Sequence, residues 1–245
     1  MRLPLLQRLF PHDGHHVAGW RAELRLVLPS VGRVLDLGCG AFDDLDAFRS
    51  ATVEVWGSDF APHSRLAHPQ WFRPLSAQGH IPFADSFFDV VFANMVAEHV
   101  ERPEEFLSEI QRVLRPGGTL LLHTLSADHY VTYLRRLISL FPDRLIEQLV
   151  WRLYGRRPED TFRTYYRLNT FSALARLSRR TGLPLQRIRR YADPGYFRFN
   201  GWLMNSAILI DRFLEVWGPG RGRLYFTAIF RKPQSTTRKS LSQAA

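Results

Sequence analysis

The sequence predicts an α/β fold, a mostly parallel sheet with helices on both faces. Three observations carry this reading. Short apolar runs recur along the chain, each ending in a glycine-rich or polar break. Segments with helical character separate them. The runs are almost continuously apolar rather than alternating, as in strands buried on both faces. With 245 residues, 45% apolar and 13% aromatic, the chain can bury a large core, and disorder throughout is excluded.

The elements follow in order. Arg33-Val-Leu-Asp-Leu37 reads as a strand that breaks into the turn Gly38-Cys-Gly40. A helix is expected from Asp43 to Arg49. Val53 to Gly57 is a second strand ending at Ser58-Asp59-Phe60, with a short helix near His63 to His68. Phe88 to Ala93 is a third strand. The strongest helical pattern runs from Glu101 to Arg115. Pro103 sits near its start, where a missing N–H costs nothing, and Glu104 and Glu105 suit the positive end of the dipole. Phe106, Leu107, Ile110, Val113 and Leu114 fall on one apolar face. Arg115-Pro-Gly-Gly118 reads as a turn and Thr119 to Thr124 as the next strand. Further strands are expected at Leu185 to Tyr191 and Arg223 to Phe230. Tyr133 to Phe141 and Leu145 to Tyr154 read as helices with arginine on the polar side, and Gly201 to Trp217 as a third helix, too long for a strand and too polar for a membrane span.

Charge is divided unevenly. Residues 1–130 hold 11 basic and 16 acidic residues, a net of −5, and residues 131–245 hold 22 and 7, a net of +15. Of the 33 basic residues only Lys232 and Lys239 are lysines. The plainer reading is packing against the sheet with the arginines solvated; such an excess also suits an anionic membrane, a lipid-linked substrate or, less favoured, nucleic acid. The single cysteine excludes an internal disulfide. No apolar run reaches the roughly 18 residues that span a bilayer, and the N-terminus lacks a clean signal-peptide core. The expectation is a soluble cytoplasmic protein, with peripheral contact at the membrane surface as a further reading.

The glycine turn narrows the ligand. Gly38-x-Gly40 resembles the start of a dinucleotide fingerprint, but Asp43 stands where the third glycine belongs, and Asp44 and Asp46 follow. With Asp36 before the turn, this acidity opposes a pyrophosphate. S-adenosylmethionine (SAM) fits better, being a phosphate-free nucleoside with a sulfonium and an ammonium. Asp36 suits the cationic portion, the glycines allow close backbone approach, and Asp59, at the end of the second strand, can accept two ribose hydroxyls.

Five segments in order now resemble a class I SAM-dependent methyltransferase of the small-molecule and lipid subgroup. They are Val34-Leu-Asp-Leu-Gly-Cys-Gly40, Gly57-Ser-Asp59, His80-Ile-Pro-Phe-Ala-Asp-Ser-Phe-Phe-Asp-Val-Val91, Glu98-His99-Val100 and Arg112-Val-Leu-Arg-Pro-Gly-Gly118. The resemblance covers residues 30–125 and implies a Rossmann-like, seven-stranded, mostly parallel sheet with helical insertions near the C-terminus. It implies a SAM-binding core (31–125) and a C-terminal half with the last two strands and the acceptor-binding insertions (126–231); residues 1–30 read as an N-terminal arm or lid helix, and the polar tail (232–245) as disordered. The resemblance puts Asp36, Gly38, Cys39 and Gly40 on the methionine side of SAM, Asp59 on the ribose, Phe60 on adenine, and Asn94 at the closure of the site. The subgroup often has an acidic residue before Ile-Pro-Phe. Here Ala77-Gln78-Gly79 replaces it, so Gln78 or backbone N–H groups are expected to read adenine.

His99 is the candidate general base for a hydroxyl acceptor; its alternative is to orient a loop. His123 and the pair His129-Tyr130 could face the acceptor. Cys39 reads as a small packed residue rather than a nucleophile, and Asp43, Asp44 and Asp46 as a solvated helix start. His12, His15 and His16 lack a Cys or Asp/Glu partner at metal spacing and read as an exposed arm or part of a lid, so no metal is expected. The functional expectation is methyl transfer from SAM to a small-molecule or lipid-like acceptor, with O-methylation preferred. An RNA methyltransferase and a non-catalytic docking domain are the alternatives. Oligomeric state is not legible.

Overall fold

In a computed structural model, residues 4–10, 15–42, 44, 48–66, 68–138, 148, 151–152, 163–197 and 199–234 are described. Six strands form one sheet: β1 (Gly32–Leu37), β2 (Val53–Ser58), β3 (Phe88–Asn94), β4 (Leu114–Leu125), β5 (Leu185–Tyr191) and β6 (Tyr225–Arg231), in the order β2-β1-β3-β4-β6-β5. The first four run parallel, and β6 is antiparallel to both neighbours. The fold is the expected Rossmann-like α/β class, with six strands among the described residues rather than seven. Beyond β2, the outer edge carries an isolated parallel bridge, Gly57 to Phe72. There Arg73 N–H donates to the Gly57 carbonyl (2.9 Å) and Leu75 N–H to that of Asp59 (2.8 Å). Pro74, between them, has no N–H to extend a ladder.

Among the described residues, six bounded α-helices flank the strands: α1 (Pro4–Leu9), α2 (His16–Val27), α3 (Pro103–Val113), α4 (Tyr130–Ile138), α5 (Phe171–Thr181) and α6 (Gly201–Trp217). α3 starts on Pro103, as its sequence requires. α5 was not expected, although Thr170 caps it by accepting the Ala173 N–H and Gly182 ends it at φ 63°. α6 has the expected bounds, and Asn200 Oδ1 accepts the N–H groups of Trp202 and Leu203. The helix expected near His63 lies one turn later, as a short 3₁₀ turn over Pro69–Trp71 where proline presets the first position. The helices expected at Asp43 to Arg49 and Leu145 to Tyr154, and the tail beyond residue 234, fall largely outside the described residues. The Arg115-Pro-Gly-Gly118 turn is an irregular start to β4: the register with β3 jumps from Leu114 to Thr119, and Gly117 takes φ 80°.

Strand pleating divides the core. Leu35, Leu37, Val91, Ala93, Leu120 and Leu122 pack under Leu107 and Ile110 of α3 and Leu174 and Leu177 of α5. The alternate residues, among them Val34, Val90, Phe92 and Leu121, pack under Trp20 and Leu24 of α2. Trp20 is buried with its ring 4.9 Å from that of Phe92. Gly19 on the same helix is forced by close approach, since a Cβ there would lie 2.2 Å from the Tyr191 ring. No helix among the described residues is long and apolar enough to cross a membrane.

Trp20→Ala is expected to cost about 3–5 kcal/mol, the usual penalty for emptying a buried aromatic site. Urea denaturation measures it, and a loss under about 1 kcal/mol would mean that α2 does not cover this face.

Candidate functional site

The carboxyl ends of β1, β2, β3 and β4 meet at one edge, where parallel α/β sheets bind ligands. The glycine turn leaves β1 there. Gly38 N–H (2.7 Å) and Cys39 N–H (3.2 Å) both donate to the Ser58 carbonyl at the end of β2. Asp59 completes the junction: its Oδ2 accepts the Gly40 N–H at 3.0 Å and its Oδ1 the Phe60 N–H at 2.7 Å. Gly38 and Gly40 both have positive φ, 75° and 50°. They differ in surroundings. A Cβ on Gly38 would meet Val96 Cγ2 at 2.3 Å, whereas one on Gly40 would have nothing within 4 Å. Gly38 is therefore tied to packing, and Gly40 faces open space.

Asp36 is buried below the turn, while Phe60, beside Asp59, leaves 64% of its surface exposed. Gln78 is exposed on a tight turn where Gly79 N–H donates to the Ser76 carbonyl (2.8 Å). Cys39 is buried. Burial, then the nearby Asp36 and Asp59 carboxylates, push its thiol above the ordinary value, which suits packing and not nucleophilic attack.

Asn94, at the end of β3, donates to the Asp44 carboxylate and accepts from the ring of His123, 2.7 Å away. His123 Nε2 in turn lies 3.2 Å from His16 Nδ1 on α2. His123 is buried on β4 and does not face an open acceptor site. His16 is half-buried and stacks on Tyr225 at 3.8 Å, in place of the exposed arm expected from sequence. Burial lowers its pKa to about 4 despite the opposing charge of Asp193. His129 is also buried, with Nε2 3.2 Å from Asp211 of α6, so it anchors that helix.

The turn after β3 holds Glu98 and His99. Glu98 is buried and accepts from Thr124 Oγ1 at 2.6 Å, and its backbone carbonyl accepts the N–H groups of Tyr165 and Tyr166. Asn169 donates to the same Thr124 hydroxyl at 2.8 Å. His99 Nδ1 lies 2.7 Å from the Arg163 carbonyl, so it donates there and its tautomer carries the basic lone pair on Nε2. Its observed contact orients a loop. Of the four non-glycine residues at positive φ among the described residues, Phe42 and Met95 follow strand ends here and Tyr166 packs on the Glu98 turn, a usual place for stored backbone strain.

Sequence reasoning missed the Asp44–Asn94 bond, the Glu98–Thr124–Asn169 network and the approach of Asp193 to the N-terminal histidines. Glu98 had a signal in its motif. The other pairs join residues far apart in sequence.

The Rossmann-like sheet, with its glycine turn bonded to the carboxylate that ends β2, is of the class I SAM-dependent methyltransferase type. The chain belongs to the methyltransferase domain family, which matches residues 11–186. It is 30% identical over 174 residues to the demethylmenaquinone methyltransferase of Lactiplantibacillus plantarum, covering 62% of this chain and 73% of that protein. It is 36% identical over 107 residues to the tRNA U34 carboxymethyltransferase of Idiomarina loihiensis, covering 38% of this chain and 32% of that one. A SAM-dependent methyltransferase structure from Methanosarcina mazei shares the fold, with a TM-score of 0.57 at 20% identity over 86% of this chain and 97% of that one. The tRNA enzyme and several mycobacterial methyltransferases match over only 32–48% of their own length.

The family implies SAM, and the site suits it. A carboxylate offers about four lone-pair positions, and backbone N–H groups take one on each Asp59 oxygen. That leaves acceptor capacity for two hydroxyls beside an exposed aromatic ring.

Two outcomes are expected. Gly40→Ala should weaken SAM binding in calorimetry by about tenfold or more, since about 1.4 kcal/mol of lost contact is enough, while Gly38→Ala should chiefly lower the melting temperature. Cys39 should resist iodoacetamide in the folded protein at mildly alkaline pH and react once urea unfolds the chain. Rapid native labelling would contradict the raised thiol.

Proposed function

We propose that the chain transfers a methyl group from SAM to a small-molecule or lipid-like acceptor, with a hydroxyl preferred. The observation that carries this is the paired arrangement of Gly40, open to approach, and Asp59, fixed by two backbone N–H groups. Asp36, Gly38, Cys39 and Gly40 would hold the methionine portion, Asp59 the ribose, Phe60 and Gln78 the adenine, and Asn94 would close the site. When bound, SAM supplies a methyl on a sulfonium, open to in-line displacement. The protein's part is alignment, which can supply several kcal/mol, up to about 7–11. His99 would take the acceptor's proton on Nε2, held in that tautomer by the Arg163 carbonyl.

The acceptor side supports an amphipathic, anionic substrate. A cleft of about 550 Å³ opens where β4 ends, with Ser126, Tyr130, Tyr133, Arg190 and Arg221 in its lining. α6 exposes Trp202 (85%), Phe213 (60%) and Trp217 (75%) on the same helix as Arg212. Its exposed aromatic rings suit contact with a lipid surface, and the basic charge would come from the arginines of the neighbouring cleft. An RNA acceptor is the second reading, favoured by the net +15 of residues 131–245.

Incubation of the full chain with methyl-labelled SAM and fractionated lipid, metabolite and RNA extracts tests the reaction. Label should enter a lipid or small-molecule fraction and be lost in Asp59→Ala, which also loses SAM binding. A chain that does not bind SAM overturns the reading, and label in RNA selects the second one. His99→Ala should slow transfer about 10²–10⁴-fold with SAM affinity unchanged. In co-sedimentation with phosphatidylglycerol vesicles, Trp202→Ala/Trp217→Ala should bind less than wild type. Equal binding would remove α6 from the lipid reading.

A further inference from the structure

We infer that His15, His16 and Asp193 form a binding site for one divalent transition-metal ion of the zinc class, where the start of α2 meets the segment after β5. No two of the three elements of this site are suggested by spacing except the adjacent histidines. Asp193 arrives from 177 residues beyond His16 through the fold.

The geometry is that of a ligand set. Asp193 Oδ2 lies 3.4 Å from His15 Nε2 and 3.5 Å from His16 Nε2, and the three donor atoms all fall within 4.8 Å of one another. A tetrahedral ion with bonds of about 2.0–2.2 Å spaces its ligands about 3.3–3.5 Å apart. Two imidazoles and a carboxylate favour zinc, cobalt or nickel over magnesium and calcium, which take oxygen ligands.

The second observation is an orphaned acceptor. Asp193 is 4% exposed. Its Oδ1 accepts the Gly195 N–H at 2.8 Å, but its Oδ2 is buried with no hydrogen-bond donor among the described residues. It points between the two rings. The hydrogen bonds behind His16 say what it meets. Asn94 donates its amide to Asp44, so its Oδ1 accepts from His123 Nδ1. His123 Nε2 then accepts from His16 Nδ1. His16 thus spends its Nδ1 on His123 and turns Nε2 toward the Asp193 carboxylate oxygen 3.5 Å away, so Nε2 is the atom left to meet an ion. The same line is the outer-shell support that metal-bound histidines use. His15 is more exposed, and its Nδ1 accepts the Val17 N–H at 3.3 Å. Ligation through Nε2 places the proton on Nδ1 and gives up that long cap. Three protein donors leave a further position on the open side for water.

Bound there, the ion would fasten the start of α2 to the segment after β5, and through His16, His123 and Asn94 it would adjoin the candidate cofactor loop. Titration calorimetry of zinc chloride into the tag-free full chain near neutral pH tests this, alongside thermal melts with and without zinc. One zinc per chain is expected, with a rise in melting temperature and no comparable response to magnesium. His15→Ala and Asp193→Asn should each weaken binding about tenfold or more. His15 is exposed, so its variant keeps the fold, as circular dichroism can verify, and it decides alone if Asp193→Asn does not fold. A wild-type chain without stoichiometric zinc, or a folded His15→Ala chain that binds as tightly as wild type, overturns the site. Neither result touches the proposed methyl transfer, which SAM binding tests separately.

Discussion

The candidate site depends on how the end of β2 holds the turn that leaves β1. Two parallel strands that stop at the same level expose backbone groups with no ladder partner. Here the Ser58 carbonyl accepts the N–H groups of Gly38 and Cys39, and the Asp59 carboxylate takes those of Gly40 and Phe60. The turn is thus bonded across to the neighbouring strand. That demands positive φ at Gly38 and Gly40, which glycine meets with least strain, and it fixes the carboxylate with capacity to spare. The register of β1 on β2, with Leu37 opposite Ser58, brings the two ends together.

The uneven charge has a partly internal use. Glu23 of α2 is buried and faces Arg187 and Arg189 of β5. Arg180 of α5 pairs with Glu104 of α3. The acidic and basic halves therefore meet where α2 covers β5 and where α5 packs beside α3. Burying a carboxylate is costly unless it is paired, and the two guanidiniums meet that cost for Glu23, while their own side chains stay half exposed. Other arginines line the cleft beyond β4, so only part of the basic excess is used in packing.

Legibility followed the range of the interactions. The strands and α3 were readable because apolar runs and capping signals are local, and α6 matched residue for residue. α5 had its cap at Thr170 and its stop at Gly182, yet its short arginine-rich pattern drew no notice. The seventh strand came from family resemblance, and Pro74 limits that edge to a bridge. Asp36, Gly40 and Asp59 could be placed from sequence because each sits at a strand end. The roles of His16, His123 and Asp193 could not, because their partners lie 107 and 177 residues away.

The hydrogen-bonded line from Asp44 through Asn94 and His123 to His16 crosses three elements and has one direction. Asn94 can donate to a carboxylate only through its amide nitrogen, which orients its oxygen toward His123 and so sets the proton on each ring in turn. Reversing it would set the amide oxygen against the Asp44 carboxylate. Met95, next in the chain, is held at φ 55° while its N–H donates to the His123 carbonyl at 2.8 Å. Such strain persists only where the surroundings over-determine the backbone. The end of β3 is therefore fixed from both sides, by the loop that follows the glycine turn and by α2. A change at His16 should be felt at Asn94, and through it at Asp44 in the loop that follows the glycine turn.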